Sequence, residues 1–217
     1  MKKTTVILCV IALIGVYYQA WSKTVVVVVG RGATSSAVTR SDDFARSNEN
    51  PLAGNWTTVT DLAAMALDNQ RVTASSSENF DYAAYWNADS FAANQFSAVE
   101  ATGTDLGVVV RVNGSACYLF RRTTGGTFQL WKMPGWTQLG SDYTSVSFSD
   151  GQVIRLEATG TSTTTLTPYV NGVALTAFND GAGGADGDPI TSGGVGLYCV
   201  HNVAGGSVLD NWTGGEL

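Results

Sequence analysis

Short runs of alternating apolar and polar residues recur along most of the chain, and glycine-rich turns separate them. In the segment QVIRLEAT, apolar Ile154 and Leu156 alternate with charged Arg155 and Glu157. A period of two is typical of a β-strand with one buried face and one wet face. We therefore predict an all-β chain of short, mostly antiparallel strands, which must pack as a sandwich or a barrel.

Two pairs of neighbouring runs predict β-hairpins. Residues 116–123 and 127–133 flank a glycine pair, and glycine tolerates the positive φ that tight turns require. A second pair within residues 163–178 has Asn171 and Gly172 at its tip, the dipeptide most typical of a two-residue hairpin loop. The segment VTDLAAMAL fits either a helical turn or a short strand.

The first 22 residues have the three-part pattern of a secretory signal peptide. Lys2 and Lys3 precede an apolar run over residues 6–18, and Ala20 and Ser22 supply the small residues of a cleavage site. The run is shorter than the roughly 20 residues that a membrane span needs. We expect residues 1–22 to be a cleaved leader or, if uncleaved, an N-terminal membrane anchor.

Residues 23–41 combine a valine-rich strand with a small-residue linker. The β-branched valines favour a strand, which would promote aggregation if it stayed unpaired. We expect it to be covered, added to a sheet or given to a neighbouring subunit. The valines of this assembly strand are Val25, Val26, Val27, Val28 and Val29. The main domain is predicted to span residues 42–217.

The charge balance argues against a nucleic-acid partner. Charged residues make up 14% of the chain and the net charge is −6. Arg121 and Arg122 are the only adjacent basic pair beyond the leader, whereas binding to phosphates requires a basic surface.

The acidic residues do not form the pair that glycoside hydrolysis needs. Two carboxylates on one strand must have even spacing to share a face. No glutamate of the chain has an acidic residue two or four places away. His201 is the only histidine, and there is no G-x-S-x-G motif for a nucleophilic serine. We expect a protein that is not an enzyme.

Two further sites are suggested by residue type. Asp180, Asp186 and Asp188 lie in a glycine-rich loop, and calcium prefers carboxylate and carbonyl oxygens. The alternative is a solvated loop, so no cofactor is required and calcium is optional. Cys117 and Cys199 are predicted to form a disulfide in an exported chain, the alternative being two buried free thiols.

Four motifs in sequence order resemble those of the concanavalin A-like lectin/glucanase superfamily. DDFAR followed by LAGNWT resembles its opening, YLFRRTTGGTFQLWK its central hairpin, RLEATGTSTTTLTPYVNGV its strands around an NG turn, and TSGGVGLYCV with SVLDNW its closing strands. The resemblance implies a two-sheet antiparallel jelly-roll sandwich with one concave face, in which the first and last strands lie side by side. Members include lectins, glycosidases, carbohydrate-binding modules and viral or adhesive structural domains, so it implies no single function.

Aromatic side chains are the candidates for a carbohydrate site, because their flat rings can serve as platforms. Trp131 and Trp136 flank a proline–glycine turn and are expected to be the exposed pair; Trp86 and Tyr118 are further candidates. Trp131 and Met133 share one strand face and Leu130 and Lys132 the other, and the alternation does not decide which faces the core. Core packing is the alternative for each tryptophan.

Two functions are consistent with these patterns. The first is an exported, non-catalytic lectin-like domain for surface recognition, whose partner is a glycan or cell-surface polysaccharide. The second is a structural subunit of an extracellular filament, coat or virion, a homo-oligomer assembled through the hydrophobic and valine-rich N-terminal segments. Either protein would be secreted or surface-exposed, and would contact a membrane only through an uncleaved leader.

Overall fold

The chain divides into two compact units, Met1–Ser36 and Ala37–Leu217. The structure, a computed structural model, describes residues 36–181, 187–201 and 207–217, together with the backbone of strands β1 (Val6–Cys9) and β2 (Val25–Val28).

In the N-terminal unit, β1 and β2 pair in parallel, with Val6 opposite Val25 and Cys9 opposite Val28. The valine strand is therefore paired within its own chain. Apart from Val6–Cys9, the predicted leader lies outside the described residues, as do Val29 and most of the linker. No helix among the described residues is long and apolar enough to cross a membrane.

The second unit contains sixteen strands among its described residues. They are β3 (Thr39–Asp42), β4 (Trp56–Thr58), β5 (Met65–Asp68), β6 (Arg71–Ala74), β7 (Asp81–Trp86), β8 (Gln95–Thr102), β9 (Leu106–Asn113), β10 (Ala116–Arg122), β11 (Phe128–Met133), β12 (Thr137–Gln138), β13 (Gln152–Thr159), β14 (Thr163–Val170), β15 (Val173–Ala174), β16 (Phe178–Gly181), β17 (Gly194–Val200) and β18 (Val208–Glu216).

These strands form two antiparallel sheets. The seven-stranded sheet has the order β12-β11-β10-β9-β17-β7-β4. The nine-stranded sheet has the order β15-β14-β13-β8-β18-β6-β5, with β16 added on β14 and β3 on β18. No helix occurs in the described part of the chain, and VTDLAAMAL ends in β5. The predicted all-β sandwich of two antiparallel sheets is confirmed.

The first and last strands of this unit lie side by side, as the resemblance implied. Asp42 of β3 is opposite Trp212 of β18, and Thr39 is opposite Gly215. Because Thr39–Asp42 belongs to the nine-stranded sheet, the compact unit starts at Ala37, before the predicted boundary at residue 42.

The main core lies between the two sheets and contains a cluster of three tryptophans. The rings of Trp56 and Trp212 are 4.8 Å apart, and those of Trp86 and Trp212 are 5.4 Å apart. Each indole N–H has an internal acceptor: Asp42 for Trp56 at 2.8 Å, Asp89 for Trp86 at 2.8 Å and Ser97 for Trp212 at 3.0 Å. Trp56, Trp86 and Trp212 are called the core trio below.

The hairpin between β14 and β15 has the predicted tip. Val170 is opposite Val173, and the two loop residues between them, Asn171 and Gly172, have φ values of 49° and 78°. Positive φ at both central positions is the geometry that favours an Asn-Gly loop, because its twist matches that of the strands.

A β-bulge in β9 turns one charged side chain inward. Arg111, with φ of 54°, is an extra residue relative to both neighbouring strands, β10 and β17. Its guanidinium is buried and donates hydrogen bonds to the carbonyl oxygens of Ala93 at 2.8 Å and Ile190 at 2.6 Å. Burial lowers the pKa of Arg111 from its ordinary value.

The predicted disulfide is wrong. Cys117 and Cys199 are free and buried, and β9 lies between their strands, β10 and β17. Cys199 points into the main core, whereas Cys117 points to the opposite face of the sheet. A disulfide requires Cβ atoms about 4 Å apart, and two strand spacings already separate the backbones by about 10 Å. Burial raises the pKa of Cys117 to about 12.

Candidate functional site

A second apolar cluster covers the face of the seven-stranded sheet that points away from the main core, which we call the outer face. In β10, Tyr118 and Phe120 belong to the core, whereas Cys117 and Leu119 belong to this second cluster. The alternation follows from the strand period of two. The buried members of the cluster are Val59, Ala83, Val109, Val112, Cys117, Leu119, Met133 and Tyr198.

Two tryptophans pack over this cluster. Trp131 lies on β11 and Trp136 in the turn between β11 and β12, and their rings meet edge to face at 6.0 Å. Trp136 also contacts Tyr198, with ring centroids 6.4 Å apart. Both tryptophans are half-buried, so part of each ring reaches solvent. The structure thus brings together the two residues predicted as an exposed pair, which we call the outer pair.

Polar groups surround the outer pair. The Arg121 guanidinium lies 5.4 Å from the Trp131 ring centroid. Gln129 Oε1 accepts hydrogen bonds from Trp131 Nε1 at 3.1 Å and from Arg121 Nη2 at 3.2 Å. Asp142 in turn accepts hydrogen bonds from Gln129 Nε2 at 3.1 Å and Gln138 Nε2 at 2.6 Å. Amide, guanidinium and carboxylate groups therefore lie beside exposed aromatic surface.

Tyr198 supports this arrangement from below. Its hydroxyl donates a hydrogen bond to Asp81 and accepts one from Arg121 Nη1 at 3.3 Å. Burial raises the pKa of Tyr198, and the hydrogen bond to Asp81 adds to the shift. The phenol is consequently neutral at physiological pH and holds Arg121 in position.

A transverse row of residues connects the outer pair to the other side of the face. Trp131 is opposite Leu119, which is opposite Val109. Val109 is opposite Gly196, which is opposite Tyr85 on β7. Four strand spacings separate Trp131 from Tyr85, a distance of about 19 Å. Aromatic residues therefore stand on both sides of the face.

Tyr85 borders a cleft of about 400 Å³ that sequence reasoning missed. Its other lining residues include Asn87, Ser192 and Gly194. A Cβ added at Gly194 would lie 2.7 Å from the Tyr85 ring, so the absence of a side chain there makes room for the ring. The only available sequence signal was the position of Tyr85, one residue from the predicted Trp86 and hence on the opposite face.

Trp86 and Tyr118 are not part of the outer face. Trp86 belongs to the core trio and is 7% exposed, and Tyr118 is fully buried. The Tyr118 hydroxyl donates a hydrogen bond to Asp180 and accepts one from the Ile190 N–H at 2.8 Å. Tyr118 therefore has no ring surface for a ligand, which corrects its assignment to the carbohydrate site, whereas Trp86 presents only a narrow edge, to the cleft beside Tyr85.

Lys132 is the reason that the alternation in β11 did not show which face of the strand lies on the core. Its side chain faces inward with Phe128 and Leu130 and is nearly buried. Lys132 Nζ lies 2.9 Å from Asp180 Oδ2 and donates to the Asp188 carbonyl oxygen at 2.8 Å. A buried charge is tolerated when it is paired and hydrogen-bonded, as here.

The described aspartates of the predicted calcium loop do not converge. Asp180 is buried against Lys132 and Tyr118, whereas the Asp188 side chain is exposed. A calcium ion at Asp180 would have to displace the ammonium of Lys132, so Asp180 and Asp188 do not fit the predicted calcium site. Asp186 lies outside the described residues. Within the described ranges, no group of three or more His, Cys, Asp or Glu side chains is arranged to hold a metal.

No family model matches the chain, and no curated protein matches it. Several solved structures, however, match its fold. The carbohydrate-binding module CBM66 from Bacillus subtilis has a TM-score of 0.56 at 16% identity, over 75% of this chain and 96% of that one. A Bacillus subtilis protein of unknown function with a galectin-like fold has a TM-score of 0.53 at 10% identity, over 78% and 94% of the two chains.

A β-1,3-1,4-glucanase (lichenase) derived from a mouse hindgut metagenome has a TM-score of 0.50 at 11% identity, over 82% of this chain and 98% of that one. Identities this low show a shared fold and not a shared function. Together with the two antiparallel sheets, they show that this chain has the concanavalin A-like jelly-roll fold.

Proposed function

We propose that the protein is a non-catalytic carbohydrate-binding domain and that its glycan lies against the outer face of the seven-stranded sheet. One observation carries the proposal: Trp131 and Trp136 meet edge to face at 6.0 Å, half-buried, beside the Gln129–Asp142–Gln138 hydrogen-bond network.

The chemistry of this surface suits a sugar. The face of an aromatic ring carries partial negative charge, which favours contact with the polarised C–H bonds on one side of a pyranose. Amides and carboxylates at the ring edges can bind the hydroxyl groups, and a few placed polar groups on an apolar surface are typical of small-ligand sites. One of the structures with the same fold is named a carbohydrate-binding module, and this supports the proposal at the level of the fold.

The two acids beside the outer pair, Asp81 and Asp142, are occupied as hydrogen-bond acceptors of its polar side chains. Asp81 accepts from the Tyr198 hydroxyl, and Asp142 accepts from Gln129 Nε2 at 3.1 Å. Both carboxylates therefore help to hold the polar groups of the outer face in place, which supports a binding role for that face.

The test is a glycan array probed with the full chain, followed by titration of the best ligand against Trp136→Ala and Trp131→Ala. We expect each substitution to weaken binding at least about tenfold, equivalent to about 1.4 kcal/mol. Phe80→Ala is the matched control, because Phe80 is an exposed aromatic (57%) outside the outer pair and its cluster. Binding that is unchanged in both tryptophan variants would remove the site, and no binding to any glycan would remove the function.

We also propose that the protein is exported and acts outside the cell. The support is the pattern of Lys2, Lys3, the apolar run and the small residues before Lys23. Expression in a secreting host, followed by N-terminal sequencing, tests this proposal. A mature chain starting at Lys23 is expected, whereas intact protein retained in the cytoplasm would contradict export.

A structural role in a filament, coat or virion is the second candidate, and the valine strand β2 favours it. Cleavage before Lys23 would remove β1, the neighbour of β2 in the described part of the chain, and an unpaired strand edge is a template for pairing with another chain. Light scattering during size exclusion tests it: assembly that disappears in Val27→Pro supports this role, and a monomer at all concentrations removes it.

A further inference from the structure

We propose that a cleft at the edge of the sandwich forms a second subsite next to the outer pair, so that the ligand is a chain of several sugar units rather than a single terminal sugar. This inference rests on the proposed carbohydrate-binding function, and it names the class of ligand: a linear oligosaccharide or polysaccharide.

The cleft, which we call the edge cleft, lies where the margins of the two sheets approach each other. One wall follows β12 and contains Gly140, Asp142 and Tyr143, and the other leads into β16 and contains Thr176 and Phe178. The Tyr143 hydroxyl donates a hydrogen bond to the Thr176 carbonyl oxygen at 2.8 Å and joins the two walls. The cleft has a volume of about 330 Å³.

Its lining combines ring surface with polar groups. Phe178 and Tyr143 are half-buried, and Ser141 and Asp142 are exposed. Gly140 has φ of 74°, and a Cβ there would lie 3.5 Å from the Phe178 ring. A larger residue at position 140 would therefore cover the ring, whereas glycine leaves it accessible. Aromatic surface with a carboxylate beside it is therefore common to the edge cleft and the outer pair.

Asp142 joins the two places. It lines the edge cleft, and its carboxylate also accepts hydrogen bonds from Gln129 and Gln138. Gln129 in turn accepts the Trp131 indole N–H, and Gln138 is directly opposite Trp131 in the β11–β12 pair. A continuous polar path therefore runs from Trp131 over the margin of the sheet into the cleft.

The size of the edge cleft points to one unit of a longer ligand. A volume of 330 Å³ is at the lower end of the range of about 300–1,000 Å³ for small-molecule sites. Two small adjacent sites that each bind weakly gain affinity when one ligand occupies both, because the second contact becomes intramolecular. A chain that spans the outer pair and the edge cleft therefore binds more tightly than its single sugar.

The experiment uses ladders of glucose, mannose and galactose homo-oligosaccharides from one to six units, titrated against the full chain. We expect at least a tenfold gain in affinity between one unit and three or more units for the ladder that binds. Ala177→Leu fills the edge cleft, which Ala177 lines. We expect this variant to lose the gain with length while keeping the wild-type affinity for the short ligand. Ala174→Leu is the matched control, because Ala174 is exposed on β15 and does not line the cleft.

The outcomes separate the two proposals. A gain with length that survives in Ala177→Leu, or no gain in the wild type, overturns the edge subsite and leaves the binding function in place. Short-ligand binding that changes in neither Trp131→Ala nor Trp136→Ala overturns the outer pair as the binding site, whatever the edge-cleft variants do. No binding by any ladder at any length overturns both.

Discussion

The two tryptophan clusters of the domain have the same residue type and opposite surroundings. The core trio lies between the sheets, and its indole N–H groups bond to half-buried Asp42 and Asp89 and to buried Ser97. The outer pair lies on the other side of the seven-stranded sheet, and the acceptor for Trp131, Gln129, is also half-buried. The comparison shows that the strand face, and neither the residue type nor the acceptor of the indole, distinguishes structural from accessible rings.

The strongest way to test this comparison is to remove one ring from each cluster. Trp212 is fully buried and contacts both other members of the core trio, so we expect Trp212→Ala to lower the free energy of unfolding by about 3–5 kcal/mol. Trp136→Ala removes a half-exposed ring, and we expect a loss of about 1 kcal/mol. Urea unfolding followed by far-UV circular dichroism measures both values. Equal losses would show that the outer pair is structural.

Trp131 and Lys132 are neighbours on β11 but lie on opposite faces of the sheet. Lys132 faces inward and its removal leaves Asp180 as a buried carboxylate without its ammonium partner. We expect Lys132→Met to cost about 3 kcal/mol of unfolding free energy, most of which the double variant Lys132→Met/Asp180→Asn should restore. The same urea titration measures both effects. A loss for Lys132→Met that the second substitution does not reduce would show that the ion pair is not its cause.

Cys199 in the main core and Cys117 in the outer cluster both make the stability of the fold depend on pH. Burial raises the pKa of Cys117 to about 12 and also raises that of Cys199. Because the unfolded thiol ionises near pH 8.5, the folded state binds the proton more tightly. Stability is therefore fully present below about pH 8.5 and is lost as the pH rises toward 12, by up to about 1.4 kcal/mol per pH unit for each thiol.

We expect the unfolding free energy to fall by at least about 1 kcal/mol between pH 8 and pH 10, and Cys117→Ala to reduce this slope. Site-resolved alkylation of the native full chain at pH 8 should leave both Cys117 and Cys199 unmodified until urea is added. Rapid native alkylation of Cys117 alone would show that the outer cluster is open to water, unlike the core.

The alternation of residues predicted most of the fold because strands have a period of two and because Asn171 and Gly172 suit their turn. The alternation gave the wrong face where a β-bulge interrupts the period of two. The bulge at Arg111 places Val110 in the main core and Val112 in the outer cluster, although they are two residues apart. One inserted residue reverses the faces of all that follow, and no local pattern reveals it.

The candidate site was predictable in part. The turn after Met133 indicated Trp131 and Trp136. Placing Trp86 and Tyr118 correctly required knowing which face of β7 and β10 lies on the core, and that depends on how the sheets pack. Lys132, a charged residue on the core side, concealed the correct face of β11. Asp142 reaches the site through hydrogen bonds across strands, so it became visible only with the register.

Glycan binding at the outer pair can be tested by titrating the ¹⁵N-labelled full chain with the best array ligand and following the indole N–H signals, assigned by single Trp→Phe variants. We expect the signals of Trp131 and Trp136 to shift with ligand while those of Trp56, Trp86 and Trp212 stay in place. Shifts confined to the core trio, or of equal size in the core trio and the outer pair, would contradict binding at the outer face.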